Sequence, residues 1–109
     1  MSLDIWLSID TGGPELASLD ISYNYTHNVT FMWAKAGCYD ALYNSNGKLA
    51  REIIGDLRKA IIAMEEDPKA YKALNPKNGW GDYEGALAWL KALTDEFALN
   101  PNATIGVWK

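Results

Sequence analysis

The 109-residue chain has one cysteine, Cys38, so it can form no internal disulfide. That fits a reducing compartment. Histidine is equally scarce, with His27 alone. Together they supply two soft ligands, short of the roughly four that a structural zinc site uses. No apolar run approaches the roughly 20 residues of a membrane-spanning helix. Met1 to Asp10 carries charge and alternates polar with apolar residues. It shows no basic start, apolar stretch or cleavage site, so no leader is expected. Basic residues are scattered, with no run longer than Arg58-Lys59, and the net charge is −4. Duplex nucleic acid and anionic membranes both need a concentrated basic face, so neither is an expected partner. A cytoplasmic location is expected. No phosphate loop, calcium loop or Gly-x-Ser-x-Gly elbow occurs. No metal and no cofactor are therefore expected. Three N-x-T triplets begin at Asn24, Asn28 and Asn102. Glycosylation requires secretion, which nothing in the sequence supports.

What the chain does have is the composition of one globular domain, 49% hydrophobic and 22% charged. It also has five Trp and six Tyr. Each large ring buries about 150–250 Å². A core of this size cannot hide them all, so some are expected at the surface.

Leu3, Ile5, Leu7 and Ile9 alternate with Asp4, Trp6, Ser8 and Asp10, the period of a half-buried strand. Thr11-Gly12-Gly13-Pro14-Glu15 is a turn cluster. Leu16 to Tyr23 alternates again, and the short connection predicts an antiparallel hairpin. Thr26 is a fair N-cap for a helix carrying Val29, Phe31, Met32, Trp33 and Ala36. Gly37 would end it in a left-handed cap. A short helical turn over Tyr39 to Tyr43 is expected next. Lys48 to Glu66 has the clearest helical stripe: Leu49, Ile53, Leu57, Ile61 and Met64. Asp67-Pro68 is an N-cap followed by a first-turn proline, so Lys69 to Leu74 reads as a short helix. Asp82 would cap a last helix, Tyr83 to Leu99, with Ala86, Leu87, Leu90, Leu93 and Phe97 inward. Thr104 to Trp108 reads as a closing strand. The order β-β-α-α-α-β predicts an α+β fold: a small three-stranded, mainly antiparallel sheet with helices over one face.

Two segments concentrate aromatic rings and amides. Tyr23-Asn24-Tyr25-Thr26-His27-Asn28 is one, and Asn78-Gly79-Trp80-Gly81-Asp82-Tyr83 is the other. Two glycines flanking an indole leave room beside the ring. If the segments meet, Trp80 forms a wall, with Asn24, Thr26, His27, Asn28, Asn78 and Asp82 around it. Such a mouth would read a flat, hydrogen-bonding ligand such as a nucleotide base. The plainer alternative is a tight turn with Trp80 folded onto the core.

His27 is the one side chain whose unperturbed pKa lies near neutrality. As a general base it would need a reacting group in reach, with Asp20 or Asp82 orienting the ring. A surface histidine in a helix's first turn is the simpler reading. Cys38 follows a helix end, where a thiol is not activated, and reads as a small buried hydrophobe. Asn46-Gly47-Lys48 would open the long helix, so its amides could hold an anion. A plain helix start is the simpler reading there too. Trp33 and Trp89 fall on apolar stripes. Trp6 and Trp108 point away from the strand's apolar face, to pack on each other or to meet a partner.

The run from Tyr23 to Asn28 leads to Met32-Trp33, and Ala41-Leu42-Tyr43 precedes Gly47-Lys48. Asn78-Gly79-Trp80-Gly81-Asp82-Tyr83 then runs into Ala88-Trp89-Leu90. This pattern resembles a group of small uncharacterised proteins of tailed phages and prophages, over most of the chain from Tyr23 onward. The resemblance implies a phage product acting in the bacterial cytoplasm, with no established activity attached. The leading expectation is a non-catalytic binding protein. It would grip a host or defence protein, or a small nucleotide-like ligand. The alternatives are a small enzyme using His27, or an assembly protein that forms homo-oligomers through exposed Trp6 and Trp108.

Overall fold

The computed structural model describes residues 2–9 and 17–109. The expected turn over residues 11–15 and the strand start at Leu16 lie outside these. Strand β1 (Ser2–Ile9) pairs antiparallel with β2 (Ala17–Thr26) on one side and β3 (Thr104–Trp108) on the other. The small α+β fold is as the hydrophobic periodicity predicts. Leu3, Ile5 and Leu7 are buried, and Ile105 of β3 joins them. The intervening residues Ser2, Asp4, Trp6 and Ser8 share the opposite face, as alternation requires.

β2 runs to Thr26, three residues beyond the expected end at Tyr23. The physical reason is cross-strand pairing, Ser2 with Thr26 and Leu3 with Tyr25. Continuing the strand puts Tyr25 on the inner face beside Trp33 and Trp89. Thr26 still acts as an N-cap, since its hydroxyl accepts from Asn28 N at the start of a 3₁₀ turn over His27–Val29. Helix α1 (Thr30–Ala36) then ends at Gly37, at φ 86°, the left-handed cap that its position predicts. α2 spans Tyr39–Tyr43.

The long helix starts late. α3 covers Ile54–Glu66, not Lys48 onward. Residues 50–52 form a 3₁₀ turn, and Leu49 is extended, bridging Thr104. The competing force is the outer edge of β3, whose backbone groups need partners. Gly47 N donates to Ile105 O at 2.8 Å, and Ile105 N donates to Lys48 O at 2.7 Å. Asn46 Oδ1 accepts from Val107 N at 2.9 Å. Helical propensity at Lys48 yields to these bonds. Glu52 then turns back to accept from Leu49 N at 2.7 Å.

α4 (Pro68–Lys72) begins at the Asp67 cap, and α5 (Tyr83–Leu99) begins at Asp82. One apolar cluster joins the sheet to the helices. Trp33, Leu57, Met64, Leu90, Leu93 and Phe97 are among its buried members. Tyr83 ties α5 to α3 by donating its hydroxyl to Met64 O at 2.7 Å. No helix among the described residues is long and apolar enough to cross a membrane.

Candidate functional site

The turn before α5 is built by side-chain caps. Asn75 Oδ1 accepts from Tyr83 N, Asn78 Oδ1 accepts from Trp80 N, and Asp82 Oδ1 accepts from Gly85 N. Gly79 and Gly81 both take positive φ, 76° and 91°. These are conformations that a side chain resists. Trp80, between them, is turned outward and 70% exposed. Trp80 is therefore no lid on the core.

The turn docks on the end of β2. A Cβ on Gly81 would lie 2.7 Å from Thr26 Cγ2 and 3.1 Å from Val29 Cγ1. Asp82 N reaches Tyr25 Oη at 3.5 Å. Burial raises the Tyr25 pKa, so the phenol is held as a neutral group. Behind it, Tyr25, Trp33 and Trp89 pack with ring centres 5.6–6.3 Å apart. The two aromatic-amide segments are thus neighbours on a rigid aromatic base.

Between them lies a recess of about 390 Å³, lined by Ser2, Asn24, Thr26, Asn28 and Trp80. Four of the seven residues proposed from the sequence meet here. The other three do not line it. Asn78 and Asp82 are spent on capping Trp80 N and Gly85 N. His27 follows Thr26 but faces a second recess. Ser2 is a lining residue that the sequence did not reveal. Its place on the wet face of β1 was visible, but its pairing with Thr26 was not.

Asn24 orders the floor. Its Nδ2 donates to Asp4 Oδ1 at 2.8 Å and to Ser2 Oγ at 2.9 Å. That leaves its Oδ1 to accept from a ligand. Among the described residues no cationic side chain lines this recess.

The second recess holds about 240 Å³ and is lined by Ser2, Asp4, His27, Trp108 and Lys109. His27 Nδ1 lies 2.7 Å from Tyr43 Oη. Neither Asp82 nor any other carboxylate orients the ring through a hydrogen bond among the described residues. Burial, aided by neighbouring Tyr39, pushes the Tyr43 phenol up to about 12. Tyr43 therefore stays a neutral hydroxyl that donates to Nδ1 in the tautomer with the ring proton on Nε2 and accepts from it in the other. The Tyr43 ring also stacks on Tyr39, with centres 4.5 Å apart. Lys109 Nζ donates to Asn44 Oδ1 at 2.9 Å, fixing the rim.

Trp6 does not join this surface as an open ring. It is half-buried, and its ring lies directly over Gly106 of β3. Trp108 is the open one, 71% exposed. Cys38 is fully buried, and burial pushes its thiol up to about 12, so it is unreactive in place. The Asn46-Gly47-Lys48 segment does not open an α-helix, and the Gly47 amide is used by β3. It holds no anion site. Among the described residues no three His, Cys, Asp or Glu side chains are grouped to hold a metal. No family model matches the chain, and no curated protein or solved structure matches it.

Proposed function

We propose that this chain is a non-catalytic binding protein and that the Trp80 recess is its ligand site. The observation that supports this reading is the lining itself. One exposed indole stands over a floor of amide and hydroxyl groups, in a concavity of about 390 Å³. That volume lies within the usual range of small-molecule sites. The indole face offers stacking, and the floor offers donors and acceptors to one edge of a ring. The ligand is uncharged and has a ring to lay on the indole, and a nucleoside serves as the single-ring probe. A phosphate would gain little here, since no cationic side chain among the described residues lines the recess and the chain carries −4 overall. A concave site favours this ligand over a protein partner, whose interface would be broader and flatter. In the phage setting that the resemblance implies, the ligand is met in the bacterial cytoplasm.

The experiment is an NMR titration of the ¹⁵N-labelled protein with adenosine, reading indole Nε1–H signals. Saturable movement of the Trp80 signal, abolished in Trp80→Ala, is the expected result. A Trp80→Ala variant that binds as well as the parent would remove the proposal.

A further inference from the structure

The two recesses are not separate features of the surface. Ser2 lines both. The strand register also joins them: Asn24 pairs with Asp4, and Asp4 pairs with Trp108. These three residues form one row across β2, β1 and β3. With strands about 4.8 Å apart, the row spans roughly 10 Å from Asn24 to Trp108, and Trp80 shares the recess at the Asn24 end. An exposed indole therefore closes each end of a polar floor, at 70% exposure for Trp80 and 71% for Trp108. The floor is preorganised by the bonds from Asn24 to Asp4 and Ser2. It is longer than a single flat ring.

We propose that this outer sheet face is one elongated site for a short, uncharged oligosaccharide, with one sugar ring on Trp80 and another on Trp108. The inference rests on the binding reading above and names its ligand class. The charge pattern selects the occupant. Among the described residues Asp4 is the floor's anion, and Lys109 stands at the far rim, bonded to Asn44. A single-stranded nucleic acid would need a cationic track along its phosphates, and the described residues of the floor form none. Sugar hydroxyls instead both donate and accept. The Asp4 carboxylate and Asn24 Oδ1 take their protons, and Asn28 offers its amide N–H groups. A pyranose also turns a face of C–H hydrogens, weakly positive, toward the negative face of an indole. Two indoles set apart by hydroxyl-binding groups match a chain of rings better than one ring.

The test is an NMR titration of the whole protein with cellohexaose, maltohexaose and chitohexaose, with adenosine as the single-ring control. The expected result is that at least one hexasaccharide moves the Trp80 and Trp108 indole signals together, with one dissociation constant. Trp80→Ala and Trp108→Ala should each weaken that binding about tenfold or more. Both rings are exposed, so neither change should lower the melting temperature appreciably, and a loss of folding would be seen there. Movement of Trp80 alone, with adenosine or a sugar, overturns the elongated site but leaves the Trp80 recess standing. Silence of both indoles toward every probe overturns the elongated site and the recess together.

Discussion

Gly81 stands so close to Thr26 that a Cβ on the glycine would fall 2.7 Å from the threonine methyl. This contact joins the two aromatic-amide segments. It also forces a choice at position 81, because the backbone there sits at φ 91°. Gly81→Ala therefore meets two penalties, a left-handed backbone and a steric overlap. We expect a loss of about 2 kcal/mol in stability. The shifted turn should also carry Trp80 away from its floor. Urea unfolding and the adenosine titration check the two effects. An alanine variant of unchanged stability would mean that the turn does not press on β2.

Asp82 separates capping from ligand contact. Its carboxylate accepts from Gly85 N at 2.7 Å at the start of α5. Asp82→Ala should cost about 1 kcal/mol, whereas Asp82→Asn or Asp82→Ser should cost a few tenths. Ligand affinity should follow none of these changes in the capped variants. A fall in affinity for Asp82→Asn at full stability would return Asp82 to the binding site.

Alkaline pH should destabilise the protein. Cys38 and Tyr43 are both neutral when protonated, and burial holds each near 12 in the folded state, above ordinary values of 9.0 and 10.0. The unfolded chain releases these protons first. The stabilising contribution is thus complete below about pH 9 and declines toward pH 12. By pH 11 the combined loss is on the order of 4 kcal/mol, at roughly 1.4 kcal/mol per unit. Cys38→Ala should delay the onset to about pH 10. Urea midpoints followed by tryptophan fluorescence give the profile. A flat midpoint from about pH 8 to pH 11 would contradict it.

Gly106 is needed as a seat for Trp6. A methyl there would collide with the Trp6 indole. Gly106→Ala should cost about 1–3 kcal/mol, the usual range for forcing extra volume against a packed side chain. It should also release the ring toward solvent. A red shift in tryptophan emission, absent when Trp6→Phe is added, would report the displacement.

Much of the fold was legible because it depends on near neighbours in the chain. Leu3, Ile5 and Leu7 alternate, and the α5 stripe repeats at helical spacing, whatever surrounds them. Gly37, Asp67-Pro68 and Asp82 punctuate helices through bonds that reach no farther than one turn. Lys48 to Ile53 misled for the opposite reason. Its local pattern is helical, yet the open edge of β3 lies beside it in space and takes its backbone.

The candidate site divides in the same way. Residue chemistry was readable: indole, amides, one imidazole, little positive charge. Its grouping was not, because Asp82 and Tyr25 meet across 57 positions and His27 finds Tyr43 on another helix. Short-range preference thus determined which elements form and what each face carries. Only the tertiary packing decided that Asn24, Thr26 and Asn28 share a hollow with Trp80 while His27 turns away. Such meetings join side chains far apart in the chain, as Asn24 and Ser2 are at a separation of 22, so no single stretch of local sequence shows them.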